Sequence, residues 1–267
     1  MSHYYTKQSL NNVLSHLRQL AVFCVSFRQV FLPTSRETLL GFIALMSRSC
    51  GYDHIEHILA SVKFLHAYHG LEYAGNTIEF DVLRRALKRK LRKPIKQALP
   101  ITPEMLILMY QHVDISSPHN LAHWSSFIFA LRLLYRKSSV APRSISSFDP
   151  KTGLSRQKVM LQDNVILVFE NHSKTNQFMS TSRVIPLMSS QIQALDPVWH
   201  YVKLVNENNV PAASPAFSYV ENGQVKCVTH YTFTTYSKQL LVKIGADLTR
   251  WSGHSFRRGG GQVCFTG

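Results

Sequence analysis

The pattern of apolar and polar residues changes about a third of the way along the chain. In the first hundred residues, apolar positions recur every three or four residues, as they do on one face of a helix. The clearest case begins at Asp53, which has Glu56 in capping-box spacing, and ends near Gly70. The apolar face of this helix would be formed by Ile55, Ile58, Leu59, Val62 and Leu65.

Three further helices complete this predicted N-terminal bundle. An amphipathic helix is expected over residues 9–27, and Ser35 is placed to cap a second helix through Met46. Another helix over residues 78–93 would stop at Pro94, because proline cannot continue a helix.

Residues 94–103 have the composition of a junction between two domains. Three prolines in these ten residues stiffen the chain and prevent a continuous helix. We therefore predict a helical, core-binding type of domain over residues 1–97. A second domain would cover residues 98–267, and Thr102 with Pro103 would begin its first helix.

The second domain is predicted to mix helices with short strands. Polar turns separate three β-branched or apolar runs, which predict a small antiparallel sheet over residues 159–161, 165–169 and 183–187. A hairpin turn is expected at residues 221–223. Further helices are predicted over about residues 120–135, from Asp196, and from Thr229 to Gly245. The fold class is therefore mostly α with a small antiparallel β-sheet (α+β).

The charge of the chain narrows the choice of partner. Its 267 residues include 30 Lys and Arg against 15 Asp and Glu, a formal net charge of +15. With 45% hydrophobic residues the chain can bury a core, which excludes a disordered tail. Because an excess of positive charge works against compaction, it points to a polyanionic partner, with nucleic acid as the first candidate.

Other classes of protein find little support in the sequence. No segment has the layout of a signal peptide or the length of a membrane span, so we expect an intracellular protein that is nuclear if eukaryotic. His54 with His57, and His66 with His69, have helical spacing but no third ligand, so no metal is expected. Four widely separated cysteines are expected to be reduced thiols: Cys24, Cys50, Cys227 and Cys264.

One predicted helix carries an unusual density of basic residues. Eight of them fall within 13 positions, with no acid among them: Arg84, Arg85, Lys88, Arg89, Lys90, Arg92, Lys93 and Lys96. At helical spacing they would form a continuous stripe that can follow a phosphate backbone and release counterions. The alternative is a solvated helix face. We favour DNA contact, because the run has a single sign and the whole chain is basic.

The strongest local signal lies near the end of the sequence. If a helix starts near Ser252, His254 and Arg257 lie three residues apart on one face. A guanidinium can hold two oxygens of a phosphate, and an imidazole can move a proton or add a hydrogen bond. Taken alone, this spacing is common on basic surfaces and is a weak indication.

The segment 253–260, GHSFRRGG, closely resembles the second motif of the tyrosine recombinase (phage integrase) family, especially its eukaryotic mobile-element branch of DIRS-like and Crypton-like elements. Residues 134–142, LYRKSSVAP, resemble the first motif. Residues 173–177, SKTNQ, ahead of 183–187, resemble the hairpin that carries the family's lysine. Residues 94–103 resemble the family's interdomain junction, so the resemblance spans nearly the whole chain in the right order.

The resemblance implies a role for each matching residue in DNA integration and recombination. Arg136 and Arg257 would hold the scissile phosphate of double-stranded DNA and offset the charge of the transition state. Lys174 would protonate the leaving 5′ oxygen, and His254 would assist proton transfer. Family members use no metal or other cofactor: a tyrosine attacks, and the 3′-phosphotyrosyl bond is later resealed by a 5′ hydroxyl.

The sequence departs from the family pattern after the second motif. No tyrosine follows Tyr236, whereas the family's nucleophile lies beyond that motif. We therefore expect a C-terminally truncated recombinase that does not complete strand cleavage and whose homo-oligomers on DNA are weakened. The alternatives are a non-catalytic DNA-binding protein derived from a mobile-element recombinase, or a basic RNA-binding or protein-interaction module.

Simpler interpretations remain for single residues. Arg136 could extend from a helix end into solvent, with Arg132 as its rival one turn earlier. Lys174 could be an ordinary lysine of a hairpin loop.

Overall fold

The chain forms two compact units, Met1–Ile95 and Lys96–Gly267. They are seen in a computed structural model that describes residues 7–92, 97–170 and 182–263. Each unit has its own cluster of buried apolar side chains, and each is described separately below.

The first unit contains four helices, as the sequence predicts. They are α1 (Lys7–Ser26), α2 (Arg36–Met46), α3 (Tyr52–Tyr68) and α4 (Ile78–Leu91). Their apolar faces meet in one core, in which the side chains of Leu20, Phe42, Ile58, Val62 and Phe80 are almost completely buried. Removal of this apolar surface from water is the main force that holds the bundle together.

The helix boundaries in this unit agree with the prediction from the sequence except at the start of α3 and the end of α4. Ser35 caps α2 as predicted, since its hydroxyl accepts from the backbone N–H of Thr38 at 3.2 Å. Helix α3 begins at Tyr52 with Gly51 as its N-cap, so the predicted cap at Asp53 is wrong. The Asp53 carboxylate instead lies in the first turn, where the helix dipole favours negative charge. Helix α4 ends at Leu91, two residues earlier than predicted.

The second unit mixes helices and strands. Its helices are α5 (Pro103–Tyr110), α6 (Pro118–Arg132), α7 (Lys137–Val140), α8 (Pro197–Glu207), α9 (His230–Lys243) and α10 (Ser255–Val263). Its strands are β1 (Val159–Gln162), β2 (Val165–Glu170), β3 (Arg183–Met188), β4 (Ser218–Glu221) and β5 (Gln224–Cys227). Single turns of 3-10 helix lie at Arg156–Lys158, Gln193–Leu195 and Leu248–Arg250.

Both predicted β structures are present. Strands β1, β2 and β3 pair in that order, and both pairs are antiparallel. Strands β4 and β5 form a separate hairpin, whose turn residues Asn222 and Gly223 have φ angles of 52° and 71°. Positive φ at both positions is typical of the tight turns that connect two antiparallel strands. The fold is therefore mostly helical with a small antiparallel sheet.

Helix α6 is the centre of the second unit. Residues 121–131 of this helix are all buried, including Trp124, Phe127 and Phe129. A helix that is buried on every side must be surrounded by other elements, and here α8 and α10 pack against it. The helix ends at Arg132, three residues before the predicted end, because Leu134 adopts a left-handed conformation with a φ of 54°.

Candidate functional site

Helix α4 presents most of its basic residues to solvent. Leu87 is buried in the core of the first unit, whereas its neighbour Ala86 is exposed. Lys93 and Lys96 lie outside the described residues. The exposed cations, called the basic face of α4 below, are Arg85, Lys88, Arg89, Lys90 and Arg92.

Arg84 differs from the rest of the predicted stripe. Its Nε lies 3.3 Å from a carboxylate oxygen of Glu56 on α3, and its Nη1 lies 4.0 Å from Asp81. Its side chain is 29% exposed. The charge of Arg84 is therefore balanced within the first unit, and this residue links α4 to α3.

A left-handed turn leads from α6 to Arg136. The N–H of Tyr135 donates to the carbonyl of Ala130 at 3.0 Å, which closes the end of α6 around Leu134. A leucine at positive φ is strained, and such strain is found where the surrounding structure fixes a position. Arg136 follows directly as the N-cap residue of α7, and it is half-buried.

The residue next to Arg136 connects this turn to the three-stranded sheet. The phenol of Tyr135 is a hydrogen-bond partner of the Glu170 carboxylate, and burial together with this carboxylate raises the pKa of Tyr135. Glu170 is the last residue of β2, so the end of that strand lies beside the Arg136 turn. Lys174 belongs to segment 171–181, which is outside the described residues, and its assignment stays a prediction.

His254 and Arg257 lie on a turn that a pair of serines stabilises. The N–H of Ser252 donates to Oγ of Ser255 at 3.0 Å, and the N–H of Ser255 donates to the carbonyl of Ser252 at 2.9 Å. Helix α10 begins at Ser255, so the predicted start near Ser252 is wrong and His254 precedes the helix. Phe256 is 1% exposed, whereas His254 and Arg257 are both exposed. The two polar side chains therefore remain free to meet a ligand.

Close packing of α10 against its surroundings explains two of its three glycines. A Cβ atom added to Gly259 would lie 1.7 Å from the carbonyl oxygen of Ile101, and one added to Gly260 would lie 2.0 Å from that of Leu131. Both separations are impossible for a real side chain, so only glycine fits. This glycine pair therefore sets the position of the helix that carries Arg257.

The motif that contains Arg136 and the motif that contains His254 and Arg257 are in contact through Lys137 and Gly253. A Cβ atom added to Gly253 would lie 2.7 Å from Cδ of Lys137, so the lysine side chain crosses directly over this glycine. Lys137 follows Arg136, and Gly253 precedes His254. The same lysine donates from Nζ to Oγ1 of Thr234 on α9 at 3.4 Å.

His230 is a histidine beside this cationic group, and its surroundings favour the neutral ring. Burial lowers the pKa of His230, and the positive charges of Lys137 and Arg143 lower it further. The N–H of His230 donates to the carbonyl of Pro142 at 2.9 Å, which fixes the start of α9 beside the Arg136 motif. Nothing in the spacing of the sequence singles out this histidine.

Acidic partners are scarce around these cations. Across the described parts of the chain, no ion pair involves Arg136, Lys137, His254 or Arg257. In the same residues, no group of three His, Cys, Asp or Glu side chains could hold a metal ion. The arrangement is suited to an anion, and a guanidinium without an acidic partner can place its N–H donors on phosphate oxygens.

A survey of solved structures finds the same fold in several DNA complexes. A lambda integrase dimer bound to a COC′ core site matches with a TM-score of 0.61 and 11% identity over 99% of this chain and 85% of that chain. The Tn1549 transposon integrase in complex with transposon right end DNA matches with a TM-score of 0.61 and 14% identity over 100% and 84%. The XerH site-specific recombinase bound to a palindromic difH substrate matches with a TM-score of 0.57 and 10% identity over 96% and 67%.

The similarity to these proteins is one of fold. A scan against protein-family models finds no match, and a search of curated proteins finds none either. The chain has the fold of the lambda, Tn1549 and XerH enzymes over nearly its whole length, and this confirms the fold that the resemblance implied.

Within the described residues, no helix has the length and apolar character needed to cross a membrane.

Proposed function

We propose that this chain binds double-stranded DNA and holds a backbone phosphate at a site formed by Arg136, His254 and Arg257, in a DNA integration or recombination reaction. The contact between Lys137 and Gly253 carries the proposal, because it joins the two motifs that the three residues belong to. The similar structures of lambda integrase and Tn1549 integrase are themselves DNA complexes. The net charge of +15 agrees with such a partner.

Apart from the attacking hydroxyl, which the resemblance assigns to a tyrosine beyond the second motif, the proposed chemistry relies on the charged groups of the chain. Two guanidinium groups on a phosphate stabilise the charge that develops during phosphoryl transfer, a role that metal ions fill in other enzymes. His254 would donate a hydrogen bond or a proton at the same phosphate, and Lys174 would supply the proton for the leaving oxygen. Because His254 and Arg257 are exposed, both can reach a duplex without a rearrangement of α10.

The basic face of α4 is proposed as a second contact with the DNA backbone. These side chains are exposed, and Lys88, Arg89 and Lys90 lie in the last turn of the helix, where the dipole favours cations. We exclude Arg84 from this contact, because Glu56 already balances its charge.

We also propose a mobile-element origin for the chain, on the basis of the GHSFRRGG motif. Several copies would assemble on DNA, since the similar lambda integrase is a dimer in its DNA complex.

A second function, DNA binding without cleavage, is favoured by the packing and the raised pKa of Tyr236, the last tyrosine in the sequence. Burial raises the pKa of this tyrosine to about 12, and its ring packs against His123 and Phe127 on α6. A nucleophilic tyrosine needs access and a neighbouring base or a lowered pKa. Tyr236 has the opposite properties, so it is an unsuitable nucleophile.

One experiment with a nicked suicide duplex distinguishes the two functions. We expect the chain of residues 1–267 to shift the duplex on a native gel and to leave no covalent adduct on a denaturing gel. An adduct would contradict binding without cleavage, and the variant Tyr231→Phe would then be tested first, because Tyr231 is 76% exposed at the start of α9. Absence of any shift at low salt would contradict both functions.

The phosphate site is tested by a pair of matched variants. Arg136→Gln should weaken duplex binding and reduce the slope of log K against log salt by about 0.9, the contribution of one phosphate contact. Arg132→Gln is the control, because Arg132 is exposed one turn earlier and reaches the carbonyl of Leu195 at 3.4 Å. Equal effects of the two variants would show that Arg136 contributes only general charge.

A further inference from the structure

A cavity of about 490 Å³ lies on the side of α10 that faces the beginning of the second unit. Residues of three short segments line it: Gln97, Ala98, Thr249, Arg250, Trp251, Ser252, His254 and Arg258. Arg257 is not among them, so the cavity is adjacent to the proposed phosphate site and shares only His254 with it. Its volume falls in the range of pockets that hold small organic ligands.

Backbone hydrogen bonds fix the walls of this cavity. The N–H of Leu99 donates to the carbonyl of Arg250 at 2.7 Å, and the N–H of Ile101 donates to that of Ser255 at 3.0 Å. The carbonyl oxygen of Ile101 also lies against Gly259. The segment that carries Gln97 is therefore held along the turn that carries Arg250, and the cavity between them is built into the fold.

The cations of the cavity have little internal compensation. Arg258 donates from Nη2 to Oε1 of Gln97 at 3.1 Å, a neutral acceptor that uses one of its five N–H groups. Arg250 has Asp247 nearby, but the Asp247 carboxylate accepts from the N–H and the hydroxyl of Thr249 at 2.9 Å. In the described residues, neither arginine forms an ion pair with an acid.

We propose that this cavity is a second anion subsite, in which Arg250 and Arg258 hold a phosphate group of the nucleic acid strand next to the one at Arg136, His254 and Arg257. The proposal rests on the DNA function proposed above and names where the strand continues. Two arginines with unused N–H groups can bind phosphate oxygens through paired hydrogen bonds. The indole of Trp251 forms an apolar wall against which a sugar or a base of the same strand packs.

Fluorine NMR of protein labelled with 5-fluorotryptophan tests the subsite directly. The chain has three tryptophans, and only Trp251 lines the cavity. Its resonance, assigned with Trp251→Phe, should shift when inorganic phosphate is added and should stay in place with sodium chloride of equal ionic strength. Arg258→Gln should weaken phosphate binding about tenfold, as expected for loss of a charged hydrogen-bond pair.

Controls separate a specific effect from general loss of charge. Arg250→Gln is the second test variant and should also weaken phosphate binding, because the backbone bond from Leu99 to residue 250 does not depend on the side chain. Arg183→Gln removes an exposed arginine of β3 that does not line the cavity, and it should bind phosphate like the wild type. Equal phosphate binding by all three variants would overturn the subsite.

Addition of a short duplex identifies the source of the phosphate. If the DNA backbone fills the subsite, the duplex alone should move the Trp251 resonance and should prevent any further shift by phosphate. If phosphate or deoxyadenosine monophosphate still shifts the resonance of DNA-bound protein, the site belongs to free nucleotides and our assignment to the strand is overturned. A duplex that binds no protein while phosphate still shifts the resonance contradicts the proposed function and leaves an isolated phosphate site.

Discussion

Two buried histidines of the second unit are held in the neutral form. Burial lowers the pKa of His123 and of His200 to about 4 in each case. His123 donates from Nδ1 to the carbonyl of His119 at 2.7 Å, and His200 donates from Nε2 to that of Gln193 at 2.9 Å. The remaining ring nitrogen of each has no partner in the described part of the chain, so neither ring can be protonated there at low cost.

These histidines predict a loss of stability in mild acid. Between pH about 6.5 and about 4 the unfolded chain takes up a proton at His123 that the folded chain does not, so the free energy of unfolding falls by up to about 1.4 kcal/mol per pH unit. Above pH 6.5 both states are neutral and the contribution vanishes. His123→Asn, which keeps a donor for His119, should make the urea midpoint less dependent on pH in this range.

The exposed residue His112 provides the control for this titration. His112→Asn is the matched variant, because it removes an exposed histidine ring instead of a buried one. An identical pH dependence for His123→Asn and the wild type would show that the ring at position 123 is protonated in the folded protein as well.

At the scale of elements, the packing of α10 against α6 positions the candidate site. Phe256 stacks on Phe127 with ring centroids 4.9 Å apart, and Gly260 lies against the carbonyl of Leu131 near the end of α6. Leu131 is followed within five residues by Arg136. One helix contact therefore fixes both the start of the His254 motif and the exit toward the Arg136 motif.

The three consecutive glycines of α10 allow a test within one helix. Gly260→Ala should lower the free energy of unfolding by about 1–3 kcal/mol, because its Cβ would overlap the backbone of Leu131. Gly261→Ala, where no atom lies within 4 Å of the added Cβ, should be neutral or should stabilise by up to about 1 kcal/mol. Urea denaturation measures both, and equal effects would show that the close contact with α6 is absent.

Local chemistry made much of this architecture predictable from the sequence. Thr102, Asp196 and Thr229 cap their helices as expected, because a cap depends on residues only two or three positions away. The ion pair of Arg84 with Glu56 could not be predicted, since it depends on how α4 packs against α3. The close packing of the glycine pair of α10 and the position of His230 beside Lys137 could not be predicted for the same reason: both depend on contacts between elements distant in sequence.

At the scale of the whole molecule, only some of the positively charged side chains are accessible to a partner. Some cations are bound within the fold: Arg156 is 8% exposed and donates to the carbonyls of Asn208 and Ser218 at 2.7 Å. Others, on the basic face of α4, are exposed and face water. Only the second kind can exchange its counterions for phosphates of DNA, so the net charge alone overstates the number of contacts.

The salt dependence of duplex binding measures how many of these exposed cations touch the backbone. Arg89→Gln should reduce the slope of log K against log salt by about 0.9, since it removes one phosphate contact. Lys63→Gln is the matched control: Lys63 is exposed on α3 of the same unit and donates to Asn76 at 3.1 Å, so its loss changes the net charge equally without removing a proposed contact. If both variants lowered the slope alike, DNA would sense only the total charge, and α4 would be a solvated face.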